Sequence, residues 1–186
     1  MNRTLISACA LGVGLLTACV SSPDIVGQSK PSGATASELR GNQSGRVVCV
    51  GYPADQSFKQ DRYEGSGAEI GERVRLAVER AGQTAMSVRA GTDAIAECSR
   101  LGGTFLLRVE VDHYEDNYTG WSGKPDRIEL RLRLALNSQP DRTRDISYEA
   151  KSNFLTSAAL EWGNAKPVSL LRDDFDYLVL RMFRDL

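Results

Sequence analysis

Three stretches of this chain alternate apolar and polar residues so regularly that they constrain the fold more than any other feature. Phe105, Leu107, Val109 and Val111 point one way, with Arg108, Glu110 and Asp112 opposite. Ile128, Leu130, Leu132, Leu134 and Leu136 repeat the pattern against Glu129, Arg131 and Arg133, and Ile146, Tyr148, Ala150 and Phe154 make a weaker third copy against Glu149 and Lys151. Successive side chains of a strand leave opposite faces, so each stretch reads as an antiparallel strand with one dry and one wet face. The wet face carries both signs of charge, which predicts cross-strand ion pairs in preference to a charged ligand surface.

Upstream the period changes. Arg46 to Gly51 is a short β-branched run, and Tyr52 to Gly65 reads as a polar loop. Ser66-Gly67-Ala68-Glu69 has the spacing of a capping box, and Ile70, Val74, Ala77, Val78 and Ala81 then recur at helical spacing up to Gly82. Ala85 to Arg89 predicts a second strand. Thr92 is placed to cap a short helix with Ala94, Cys98 and Leu101 inward, ended by Gly102-Gly103. A last helix is expected from about Pro167, with Leu171, Phe175, Leu178 and Met182 on one side. The order β-α-β-α-β-β-β-α predicts an α+β fold. It is a two-layer α/β sandwich with a mixed sheet of about five strands and helices on one face.

The N-terminus has a different character. Arg3 precedes an apolar stretch, Leu5 to Leu16, too short to span a bilayer and of the length of a signal-peptide core. It ends Leu16-Thr17-Ala18-Cys19, which resembles the bacterial lipobox: an aliphatic residue three places before the cysteine, small residues between, and a thiol to take a diacylglyceryl thioether. Residues 1–18 are therefore expected to be removed and Cys19 to become a lipidated N-terminus. One acyl chain holds a protein only marginally, whereas two or more anchor it stably. By resemblance to the lipoprotein sorting rule, Val20 after the cysteine points to the outer membrane, periplasmic face. Residues 19–44 are rich in Ser, Gly, Pro, Gln and Asn without apolar periodicity and read as a flexible tether with a reach of about 25–30 Å. Residues 45–186 are then one domain.

Cleavage would take Arg3 from the 23 basic residues and none of the 24 acidic ones. A nearly neutral chain gives no electrostatic reason to expect nucleic acid as a partner. Cys9 leaves with the signal peptide and Cys19 is acylated, so Cys49 and Cys98 remain as a pair in an oxidising compartment. They form either a disulfide closing about 50 residues, which contributes roughly 3–4 kcal/mol, or two small buried hydrophobes.

Nothing in the sequence sets out a catalytic constellation, and no cofactor is expected. His113 is the sole histidine, so any Ser-His-Asp or Cys-His mechanism must pass through it. A hydrolase or metal-dependent enzyme using His113, Glu115 and Asp116 is the alternative to a non-enzymatic protein. Strand alternation would put His113 and Glu115 on one face. Gly65 and Gly67 before a helix lack both the GxGxxG pattern and a following Lys-Ser/Thr, so they do not make a phosphate loop. The segment Trp121-Ser122-Gly123-Lys124-Pro125-Asp126 is a loop punctuated by Gly and Pro. With Tyr114 and Tyr118 upstream, Trp121, Lys124 and Asp126 could present an aromatic platform to a glycan or a protein. The plainer reading has Trp121 fold back over the core.

His113-Tyr114-Glu115-Asp116 followed by Trp121-Ser122-Gly123-Lys124-Pro125-Asp126-Arg127 resembles the signature of a family of short Gram-negative lipoproteins known only as a domain of unknown function. Lys151-Ser152-Asn153-Phe154, Pro167-Val168 and the terminal helix are also similar. The chain departs from that family at Asn153 and through Thr156 to Asn164. The resemblance implies an envelope address and no activity. The sequence thus predicts a membrane-anchored, non-enzymatic component that binds an envelope protein or polysaccharide.

Overall fold

The computed structural model describes residues 46–89, 93–117, 122–152 and 166–184. The expected signal peptide, Cys19 and the tether lie outside the described residues, as do Thr92, Tyr118, Trp121 and Phe154. Among the described residues no helix is long and apolar enough to cross a membrane.

The strands are β1 (Val47–Gly51), β2 (Gln56–Phe58), β3 (Asp61–Tyr63), β4 (Thr84–Val88), β5 (Phe105–Glu115), β6 (Arg127–Leu136) and β7 (Gln139–Lys151). The helices are α1 (Ser66–Arg80), α2 (Ala94–Arg100) and α3 (Asp173–Arg184), the last preceded by a 3-10 turn at Pro167–Leu170. Five strands form one mixed sheet in the order β4-β1-β5-β6-β7. β1 is parallel to both β4 and β5, and β5, β6 and β7 form an antiparallel meander. The predicted α+β sandwich with a mixed five-stranded sheet is the observed one, but its helices do not all lie on one face as expected.

The alternation sorts the side chains. Val48, Val50, Phe105, Leu107, Leu130, Leu132, Leu134, Ile146 and Tyr148 face α1 and α3, which bring Ile70, Val74, Val78, Phe175, Val179 and Met182 into one core. Cys49 and Leu106 leave the opposite face and join Val88 and Cys98 in a separate small cluster beneath α2. Two helices therefore lie on one face and α2 on the other. Strand order gives the reason. The chain steps from β1 sideways to β4, then back past β1 to β5. Two right-handed crossovers that travel in opposite directions place their helices on opposite faces.

Cys49 and Cys98 form a disulfide that ties α2 to the central strand. Beyond α2 the wet face carries the expected ion pairs. Arg131 meets Glu110 and Asp112, Arg133 meets Glu110 and Asp145, and Arg127 and Lys151 both reach Glu149.

Three local expectations are corrected. Tyr52 to Gly65 holds a small hairpin, β2-β3, whose turn places Lys59 at φ 58. Its three-residue strands carry no apolar alternation to reveal them. The capping box does not form: Gly65 is the N-cap of α1, and Ser66 is already helical. The Ser66 hydroxyl accepts from Gln56 N at 2.8 Å and donates to Tyr63 O at 2.6 Å, tying the helix to the hairpin. The free first-turn amide of Gly67 donates instead to Asp55 at 3.0 Å, and the amides of Gly65 and Gly67 hold the Asp55 carboxyl below its ordinary range. Asp93, whose carboxylate accepts from Ala96 N, caps α2.

The terminal helix also starts later than Pro167 suggests. The Leu171 carbonyl accepts from Arg73 Nε at 2.7 Å, and the Tyr148 hydroxyl lies 3.1 Å from Leu170 O and 3.2 Å from the Asp174 carboxylate. Side chains from β7 and α1 thus take carbonyls that a continuous helix would use internally. Val179 is buried where Leu178 was expected, with Leu178 only partly covered.

Candidate functional site

The sequence placed its candidates at the far end of β5 and in the loop to β6. There β5 carries a bulge: pairing runs Val111 with Leu130, then His113 with Glu129 and Tyr114 with Ile128. The extra residue keeps His113 and Glu115 on the polar face and turns Tyr114 inward. His113 Nε2 lies 3.1 Å from Glu115 Oε2, and its ring meets Phe58 edge-on at 6.5 Å. The other Glu115 oxygen accepts from Asn117 Nδ2 at 2.8 Å. Those two hydrogen bonds, Asn117's first and then His113's, hold the Glu115 carboxyl below its ordinary range.

Asp116, the third member of the expected trio, is not part of this pair. It lines a separate pocket with Tyr63 and Tyr114. Among the described residues no three His, Cys, Asp or Glu side chains are grouped to hold a metal ion.

The loop is closed at its base by a hydrogen-bonded collar. Asn117 N donates to Asp126 Oδ1 at 2.6 Å, and Asn117 Nδ2 donates to Pro125 O at 2.8 Å. Asp126 N donates to Ser152 Oγ at 2.7 Å, and Ser152 N returns a bond to Asp126 O at 2.9 Å. Asp126 is 2 % exposed and Asn117 8 %. Asp126 is therefore a buried clamp and not part of an exposed platform. Tyr114, 5 % exposed, belongs to the core, where it packs on Tyr63 with ring centroids 5.2 Å apart. Register decides this, since pairing with Ile128 points the ring inward. Lys124 is exposed. Asn117 was missed by sequence reasoning; an Asn at a strand end, where its side chain can bond the turning backbone, was the available signal.

The Tyr114 pocket measures about 130 Å³ and lies between β3, the first turn of α1 and the end of β5. Tyr63, Glu64, Ser66, Glu69, Tyr114, Asp116 and Lys166 line it. Lys166 Nζ is paired with Glu69. Burial raises the Tyr114 phenol far above its ordinary value, with Asp116 and Glu69 adding to the effect.

No protein-family model matches the chain, and no curated protein sequence matches it. Solved structures do. The PelC dodecamer from Paraburkholderia phytofirmans superposes with a TM-score of 0.51 at 10% identity, covering 88% of this chain and 98% of that one. A point variant of PelC gives 0.49 at 11% identity, over 80% and 95%. Protein XCC0632 from Xanthomonas campestris, of the DUF330 family, gives 0.38 at 15% identity, over 76% and 86%. The PelC likeness is one of fold alone. A superposition of the quality of the XCC0632 one carries no argument.

Proposed function

We propose that this chain is a lipoprotein anchored to the outer membrane at Cys19. Its domain faces the periplasm as a non-enzymatic binding or accessory component of envelope assembly or secretion. The observation that carries the reading is Leu16-Thr17-Ala18-Cys19 closing a signal-length apolar stretch. The Cys49–Cys98 disulfide supports it, because such bonds persist in oxidising compartments. The decisive experiment compares the wild type with Cys19→Ser by membrane fractionation and intact mass. The wild type is expected in the outer-membrane fraction with acyl mass on Cys19. A Cys19→Ser chain equally membrane-bound, or a wild type without lipid mass, overturns the reading.

For the partner contact, Trp121, Tyr118 and Lys124 remain the proposed residues, presented by a loop whose base is held by Asp126 and Asn117. Crosslinking in intact cells tests this: Trp121→Ala should lose the envelope protein or glycan that the wild type captures. PelC is a dodecamer, and assembly with further copies of itself is the second reading for this domain. Light scattering on the purified chain decides it, since a monomer mass removes that reading.

A further inference from the structure

The parallel half of the sheet holds another hollow, and none of its walls belongs to the Trp121 loop or its collar. At the carboxyl end of β1 the chain turns to α1 on one face. The chain leaving the neighbouring parallel strand β4 turns to α2 on the other. Connections that part in this way leave a crevice outside the strand ends, where open α/β sheets bind their ligands. The crevice here measures about 410 Å³. Gly51 and Pro53 at the end of β1, Arg89 and Asp93 beyond β4, Ile95 of α2 and Arg108 of β5 line it. It exists because β1 stops at Gly51, which has no side chain, while β5 runs on to Glu115.

Arg108 stands out among these walls. On its face of β5, Leu106 is packed beneath α2, and Glu110 is paired with Arg131 and Arg133. Arg108 lies between them, half-buried, and its guanidinium has no hydrogen bond or ion pair among the described residues. Its neighbour on β1 is Gly51, and its neighbour on β6 is Arg133, which Glu110 and Asp145 already hold. Like charges directly opposite on a sheet are destabilising, and a partly desolvated cation without a partner adds to that. The fold therefore gives no reason for an arginine at this position, and a ligand does. Glu110 is neutralised from β6, and Asp93 and Arg89 offset each other in the lining, so one positive charge remains. A guanidinium fork matches a carboxylate with two parallel hydrogen bonds, and the two nearby acids disfavour a dianion. Pro53 and Ile95 supply apolar walls, in a volume that admits a body as large as an amino acid. We infer that this crevice binds a monocarboxylate with a compact apolar body, its carboxylate held by Arg108.

The test is calorimetric titration of the intact chain at low salt with 4-methylpentanoate, with N-acetyl-leucine, and with N-acetyl-leucine amide as the uncharged control. Saturable binding of a carboxylate and none of the amide is expected. Binding of 4-methylpentanoate alone points to a free acid as the source, and binding of both carboxylates to the carboxyl end of a peptide. Arg108→Gln should weaken binding about tenfold or more. The same substitution should leave the urea midpoint unchanged or raise it, because it relieves the opposition to Arg133. Arg100→Gln removes an equal charge from the exposed end of α2 and should leave the affinity as it is. Four results would overturn the inference: no saturable carboxylate binding, equal binding of the amide, tighter binding of inorganic phosphate, or equal weakening by Arg100→Gln and Arg108→Gln. A lowered urea midpoint in Arg108→Gln would do so too, since the arginine would then be serving the fold.

Discussion

The ring of Tyr52 occupies the space that a side chain on Gly71 would need: a Cβ there would lie 2.3 Å from Tyr52 Cγ. One turn earlier on the same helix face, a Cβ on Gly67 would lie 2.3 Å from Pro53 O. These two glycines let the chain leaving β1 lie flat on α1. Tyr52 cannot move aside cheaply, because its amide donates to Val88 O at 3.1 Å and its hydroxyl donates to Glu72 at 2.8 Å.

Gly71→Ala should therefore destabilise the domain by about 1–3 kcal/mol, as overpacking does, measured by urea unfolding. In a Tyr52→Ala background the clash is gone. The same substitution should then stabilise by about 0.5–1 kcal/mol, the ordinary gain of Ala over Gly inside a helix. A change of the same sign in both backgrounds would show that the ring is not the obstacle.

The disulfide closes a sequence separation of 49 residues. Cys49→Ala/Cys98→Ala should lower stability by about 3–4 kcal/mol through the freed unfolded chain. Hydrogen exchange should rise first in α2, a seven-residue helix whose buried contacts with the sheet run through Cys98. Uniform exchange over α2 and β6 would contradict this.

Asp126→Ala removes the acceptor of the buried Asn117 amide. A cost of about 1–3 kcal/mol is expected, together with faster exchange at Asn117. Asp126→Asn keeps an accepting oxygen and should recover most of the loss. Failure of Asn to restore stability would mean that the charge, and not the hydrogen bond, holds the collar.

Alkaline stability should be limited by tyrosines. Burial, helped by Glu72, raises the Tyr52 phenol to about 12, and burial also raises Tyr114 and Tyr148 well above their ordinary value. An unfolded tyrosine ionises near pH 10. The stability these groups contribute is complete below about pH 10 and declines as pH rises through the folded values. Phenolate absorbance should show Tyr52, Tyr114 and Tyr148 titrating late, with unfolding. Titration of Tyr52, Tyr114 and Tyr148 near pH 10 in a folded chain would exclude those environments.

The strand alternation, the helical stripes and the cysteine pair were legible because each is a local pattern with its own period or chemistry. Leu130, Leu132 and Leu134 are all buried, and Cys49 and Cys98 are bonded. The sequence by itself thus determined the five sheet strands, the three helices, the inward residues of the long strands and the ion-paired wet face. What only the tertiary structure decided depends on which element lies beside which. Strand order put α2 opposite α1, and the β2-β3 hairpin drew Ser66 away from its cap. One bulged residue turned Tyr114 into the core, and Asp126 closed a loop by bonding an amide nine positions upstream. None of these carries a period in the chain, because each arises from a backbone group finding a partner brought near only by folding.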